Sequence, residues 1–183
     1  MLVEVINYLN LSPGKIIVDA TIGTAGHSKG IIERIMPGGK LIGIDRDQDS
    51  LDIARERLRD FGPACEFVYG NFVDIDGILK NLNIKKIDGI LFDLGLSFYQ
   101  LEDPNRGFSF RYEGPLDMRF DRSSFISAYD LINNLNEEEI SAMLWTFGEE
   151  RWHNRIAHFL VEEREKRAIT TTRELSDIVV KAI

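Results

Sequence analysis

The stretch "KIIVDATIGTAGHSKGIIERIM", residues 15–36, decides the fold. It opens with an apolar run ended by Asp19, passes through a turn of small residues with glycines at 23 and 26, and continues with helical spacing. A continuous apolar run suits a strand buried on both faces, as in a parallel sheet. Small residues in the turn let backbone amides approach a ligand, and the following helix offers its positive N-terminal end. Strand, glycine turn and helix together make the first half of a βαβ unit.

Working outward, the same grammar recurs. "LIGIDR" (41–46), "CEFVYG" (65–70) and "DGILFDLG" (88–95) read as further strands, while "DSLDIARERLRDF" (49–61) and "VDIDGILKNL" (73–82) have helical spacing. Ile53, Ala54 and Leu58 are expected to share one helix face. The alternation predicts an open, doubly wound α/β domain. Beyond it, "RGFSFRYEGPLDMRFDR" (106–122) has neither helical nor strand period, and "GP" at 114–115 marks a turn. Four segments then read as helices: 125–135, 136–148, 150–167 and 170–183. Asn136 with Glu139, and Thr171 with Glu174, supply N-cap signatures, and Gly148 is a stop signal. The aromatics Trp145, Phe147, Trp152 and Phe159 read as core packing for this helical part. The expected division is an α/β domain over 1–102 and a helical domain over 103–183, with a substrate loop at 103–122.

Composition narrows the classes. The chain has 183 residues, a net charge of −8, a single cysteine (Cys65) and three histidines. It carries no run of membrane-span length and no signal-type start, so a cytoplasmic protein is expected. The cysteine and histidine count leaves no structural zinc site, and no metal is expected. The acidic balance argues against coating nucleic acid through bulk charge, though a local basic site remains open.

The glycine turn does not fit the G-x-G-x-x-G spacing of dinucleotide sites. An acid just before such a turn, here Asp19, is typical of domains that hold S-adenosylmethionine, whose amino end is cationic. Asp45 closes the second strand 22 positions beyond Gly23, where a carboxylate can accept from both ribose hydroxyls. Asp93 ends the fourth strand. All three acids fall at carboxyl ends of strands, where open α/β sheets bind ligands.

These residues resemble the RsmH/MraW type of 16S ribosomal RNA cytosine-N4 methyltransferases. The likeness is carried by "DATIGTAGHS" (19–28), "GIDRD" (43–47), "DLGLS" (93–97), "QLEDPNRGFSFRYEGPLDMRFD" (100–121), "FGEERWHNRIA" (147–157) and "TTTRELSDIV" (170–179). It implies a Rossmann-like class I S-adenosylmethionine-dependent sheet, present here through strands 1–4, with an inserted helical domain. It implies cofactor contacts from Ala25, Gly26, His27, Asp45, Phe72, Asp93 and Gln100, His27 acting through its backbone. Asp93 and Ser97 would orient the acceptor amine. The implied partner is 16S ribosomal RNA or the small ribosomal subunit, with no DNA and no membrane; a homodimer is left open.

In the loop, Arg106, Phe108, Phe110, Arg111 and Arg119 are candidates to stack on bases and touch phosphate. The alternative is that Phe108 and Phe110 plug the protein interior while the arginines pair with Glu113, Asp117 and Asp121. Family members are longer, so the chain reads as a methyltransferase fragment, with its fourth strand at an open sheet edge. Two departures stand out: Phe98–Tyr99 replaces a usual Ser-Pro, and Ala25 replaces a usual glycine, which requires negative φ at that residue. The rival readings are a methyltransferase for another substrate, a nicotinamide-dependent oxidoreductase disfavoured by the glycine spacing, and a non-catalytic RNA-binding protein.

Overall fold

Strands β1 (Ile16–Asp19), β2 (Lys40–Asp45), β3 (Cys65–Tyr69) and β4 (Gly89–Leu91) pair as one parallel sheet in the order β3-β2-β1-β4. The structure is a computed structural model and describes residues 2–183. Alternate side chains of each strand point to opposite faces, which explains the unbroken apolar runs. Ile17 and Leu41 enter one core with Ile31, Ile32 and Ile35; Val18, Ile42 and Ile44 enter another with Ile75, Ile78 and Ile90. Helix α1 (Leu2–Leu9), for which the sequence reading had no counterpart, supplies Leu9 to the first core. Helices α2 (Gly26–Ile35) and α3 (Gln48–Arg57) cover that face, and α4 (Ile75–Asn81) covers the other. The inward positions around α3 are Leu51, Ala54 and Leu58, while Ile53 is half-buried.

The chain moves from β1 to β2 to β3 in one direction, then returns to place β4 on the far side of β1. The carboxyl ends of β1 and β4 therefore flank the point where the winding reverses, the usual ligand crevice of such sheets. β4 is shorter than the apolar run that announced it. After Leu91 the chain leaves the sheet, and Phe92, Leu94 and Leu96 are exposed.

The contacts divide the chain into one unit ending at Ser97 and another running Phe98–Ile183. The second comprises α5 (Phe98–Glu102), α6 (Ala128–Asn134), α7 (Glu137–Gly148), α8 (His153–Lys166) and α9 (Thr172–Ala182). Ile132, Ile140, Ile156, Leu160 and Ile178 form its core together with Leu116 from the long loop. Both predicted N-caps form reciprocal boxes: Asn136 with Glu139, and Thr171 with Glu174. The stop of α7 differs by one position, because the left-handed residue is Glu149 (φ 49°) and Gly148 is the last helical one. The aromatics also differ from expectation. Phe159 packs on the core, but Trp145, Phe147 and Trp152 are 56%, 85% and 46% exposed. They lie around the α7–α8 turn, away from the isoleucine and leucine positions that fill the interior. None of the described helices is long and apolar enough to cross a membrane.

Candidate functional site

The loop between β1 and α2 is held from both sides. Ala20 N–H donates to Leu91 O (2.9 Å) and Ile22 N–H to Ile44 O (3.0 Å), so the backbone stays paired with its neighbours beyond the strand end. Ile22 then descends onto β2. A Cβ on Gly43 would stand 2.2 Å from Ile22 Cδ1 and 3.1 Å from its Cγ1, so any larger residue would push the Ile22 side chain aside. Ala25 N–H closes the turn on Ile22 O (2.8 Å). The expectation of negative φ at Ala25 is corrected: it is left-handed (φ 64°) and caps α2. Its side chain is fully buried in the core, and this packing offsets a backbone cost of roughly 1–2 kcal/mol.

Acidic side chains converge on this loop. Asp19 is buried, with Ser28 Oγ donating to Oδ2 (2.7 Å) and Thr21 N–H to Oδ1 (3.3 Å). Burial pushes its carboxyl up to about 6, against the pull of both hydrogen bonds. Asp45 reaches across from β2: Gly23 N–H donates to its Oδ2 (2.8 Å) and Asp47 N–H to its Oδ1 (2.9 Å). Burial raises this carboxyl too, opposed by those backbone donors. On the other side, Asp93 N–H donates to Thr21 Oγ1 (2.7 Å), and Asp93 Oδ2 lies 3.3 Å from His27 Nε2. Asp45 and Asp93, from the strands on either side of β1, thus hold the loop and the start of α2 between them.

Space exists beside that loop. A Cβ on Gly26 would meet nothing within 4 Å, and one on Gly23 would meet only Thr21 O at 3.9 Å. The first-turn amides of α2 have no partner inside the helix and point out of its N-terminal end. Phe72, half-buried, packs edge-to-face on Phe92 at 5.5 Å, which joins it to the segment carrying Asp93. Ser97, half-buried, closes the same segment. Ala25, Gly26, His27, Asp45, Phe72 and Asp93 therefore belong to one set of linked strand tips. The sequence reading missed Thr21 and Ser28. Both stand within the quoted motif, but their hydroxyls find partners only once β4 and α2 are in place.

The remaining predicted residues lie in the second unit. Gln100 is buried on α5. The loop at 103–122 pairs with the segment leading into α9. Leu116 N–H donates to Thr170 O (3.0 Å), Thr172 N–H to Gly114 O (3.0 Å), and Pro115 bridges antiparallel to Thr171. Gly114–Pro115 is accordingly extended where a turn was expected. Arg106 is buried, its Nη2 donating to Arg119 O and Phe120 O at 3.0 Å each, with its guanidinium 5.9 Å from the Phe108 ring. Phe108 packs on Phe120 at 5.3 Å. Arg119 forks onto Asp117 with bonds of 2.8 and 2.7 Å, and this holds the Asp117 carboxyl below its usual range. Phe110, by contrast, is 65% exposed, and Arg111 and Tyr112 are exposed beside it. Arg106, Phe108 and Arg119 form the frame of the loop; Phe110 and Arg111 form its outer face.

The family model described as the MraW methylase family matches residues 1–183. Ribosomal RNA small subunit methyltransferase H of Clostridium botulinum is 46% identical over 183 residues, all of this chain and 59% of that protein. The protein of that name from Finegoldia magna is 45% identical over 183 residues, 58% of its length. The one from Brevibacillus brevis is 46% identical over 180 residues, 98% of this chain and 57% of its own. A crystal structure of an rRNA methylase from Streptococcus thermophilus overlays on 50% of this chain and 53% of its own, with a TM-score of 0.43 and 22% identity. The chain thus spans under three-fifths of the length of these curated relatives. With a match from its first residue to its last, the chain belongs to the MraW methylase family.

Proposed function

We propose that the chain carries the donor site and helical part of an S-adenosylmethionine-dependent methyltransferase that modifies the exocyclic N4 amine of a cytidine in 16S ribosomal RNA. The observation that carries the reading is the double grip on the first loop: Gly23 N–H on Asp45 at 2.8 Å and His27 on Asp93 at 3.3 Å. Relatives matched along the whole chain are named as methyltransferases of the small-subunit ribosomal RNA. Such a substrate would put the protein in the cytoplasm, where ribosomes are built.

The residues fit the donor. Asp45 accepts Gly23 N–H on Oδ2 and Asp47 N–H on Oδ1, and a carboxylate's four lone pairs leave it capacity to receive ribose hydroxyls as well. Gly26 leaves open space where a bulkier residue would intrude on the ligand. Phe72 offers an aromatic surface for adenine, and Asp19 a buried carboxylate favouring a cationic amino end. When bound, S-adenosylmethionine supplies an electrophilic methyl group on a positively charged sulfur.

The protein's task is then positioning. The cytosine amine is a poor nucleophile because its lone pair is delocalised into the ring. A carboxylate that accepts one of its N–H bonds aligns the nitrogen and draws off positive charge as the new N–C bond forms. Asp93, its side chain half-exposed on the segment after β4, is assigned that part, with Ser97 beside it. Phe110 and Arg111 are assigned to RNA contact, by stacking and by phosphate attraction respectively.

The test is mass spectrometry of small-subunit ribosomal RNA after incubation with isotopically labelled methyl donor, using this chain and a version extended to the relatives' length. Label on a cytidine N4 amine, lost in Asp93→Ala, is expected. Transfer to another substrate alone, or undiminished transfer by Asp93→Ala, contradicts the assignment.

A further inference from the structure

We infer that the His27 imidazole is a positioning residue that orients the Asp93 carboxylate; the inference rests on the reading of Asp93 as the group that receives the acceptor amine. His27 is the second residue of α2, and a histidine there commonly bonds to nearby backbone. That is not its arrangement here. Its Nδ1 is buried and has no hydrogen-bond partner among the described residues, while Nε2 reaches the neighbouring strand tip and lies 3.3 Å from Asp93 Oδ2.

Tautomer chemistry gives this direction. A neutral ring has one N–H. Placed on Nδ1, that proton would be buried without an acceptor, and the bare Nε2 lone pair would face a carboxylate. Placed on Nε2, it faces the Asp93 carboxylate, whose Oδ2 lies 3.3 Å from that nitrogen, and Nδ1 is left as an acceptor at smaller cost. Asp93 thus fixes the tautomer, and the imidazole in turn fixes Asp93. The carboxylate needs such an anchor, because the chain after Leu91 has left the sheet and its neighbours Phe92 and Leu94 are exposed. Thr21 Oγ1 already holds the Asp93 main chain at 2.7 Å. His27 lies against one side-chain oxygen, Oδ2, and on this inference the other is left to meet the acceptor. The same helix turn would therefore present its backbone to the donor and its imidazole to the carboxylate that handles the acceptor.

A pair of near-isosteres tests this. The amide nitrogen of Gln reaches about as far as Nε2, whereas that of Asn stops near Nδ1. In the methyl-transfer assay with the extended protein, His27→Asn should lower kcat by about tenfold or more. Donor KM and S-adenosylhomocysteine affinity should stay within about threefold, and His27→Gln should restore most of kcat. Independently of turnover, long-range proton–nitrogen NMR of the ligand-free chain should show His27 as the Nε2–H tautomer, with that bias lost in Asp93→Ala. Equal kcat in wild type and His27→Asn, failure of Gln to rescue, or an Nδ1–H tautomer would each overturn the inference. If wild type transfers no methyl group, the functional reading falls separately, and the tautomer still decides whether His27 and Asp93 are coupled.

Discussion

Replacing Asp19 with Asn should stabilise the sheet unit at pH 8 and leave it slightly less stable than wild type at pH 4. The folded chain holds this carboxyl at about 6, against an ordinary value of 3.8, chiefly because it is buried. A folded-state value above the unfolded one means that the ionised group opposes folding at any pH above about 6. As pH falls from 6 towards 3.8, the folded chain takes up a proton that the unfolded chain does not, and the opposition is relieved. The difference between 3.8 and about 6 corresponds to roughly 3 kcal/mol. Asn keeps an oxygen for the Ser28 hydroxyl but risks the weaker bond from Thr21 N–H, which subtracts about 1 kcal/mol. The expected gain at pH 8 is therefore about 2 kcal/mol, or roughly 4–8 °C in Tm for a chain of this size. Urea unfolding followed by circular dichroism at both pH values, with wild type beside the variant, measures it. Carboxylates remote from Asp19 titrate equally in both proteins and cancel in the difference; Asp45, which interacts with Asp19, adds a smaller contribution of its own. A variant no more stable than wild type at pH 8, or a difference that does not change with pH, refutes the reasoning. If the buried charge is kept for a cationic ligand, the same substitution should also weaken S-adenosylhomocysteine binding at pH 8.

Gly43→Ala should cost about 1 kcal/mol in urea unfolding, because Ile22 Cδ1, 2.2 Å from the new methyl, must swing away while Cγ1 and Cβ stay tight at 3.1 and 3.2 Å. It should also weaken S-adenosylhomocysteine binding, since Ile22 carries the loop that Asp45 grips. Glu149→Gly should raise stability by about 0.5–1 kcal/mol in thermal melts, because an exposed left-handed position at the end of α7 is relieved of its side chain. Arg111→Ala should weaken binding of a small-subunit RNA fragment and flatten its salt dependence, while calorimetry shows donor-analogue affinity unchanged.

The sheet was legible because the central strands β1 and β2 are buried on both faces and write themselves as apolar runs, and because each turn at a strand tip is marked by an acid or a glycine. The helix caps of α7 and α9 were legible for a similar reason: their partners lie three residues apart. What escaped depends on partners distant in sequence. Thr21 and Asp93 meet across 72 positions, so neither the hydroxyl's task nor the turn of His27 towards Asp93 can be read from the local motif. Ala25 was expected to avoid the left-handed region, yet burial of its methyl in the core overrides that preference. In the long loop, the arginine-and-aromatic composition says nothing about direction. In the structure Arg106 turns inward onto the carbonyls of Arg119 and Phe120, while Phe110 stays outward. Trp145, Phe147 and Trp152 misled for the opposite reason: aromatic content alone suggests a core that isoleucines and leucines already fill.

The most direct measurement is amide NMR of the labelled chain titrated with S-adenosylhomocysteine. The account predicts saturable shifts concentrated at Gly23 to Ser28, Asp45 to Asp47, Phe72 and Asp93, with affinity reduced tenfold or more, roughly 1.4 kcal/mol, in Asp45→Ala. No shift at millimolar ligand, shifts confined to other residues, or full affinity in Asp45→Ala would contradict it.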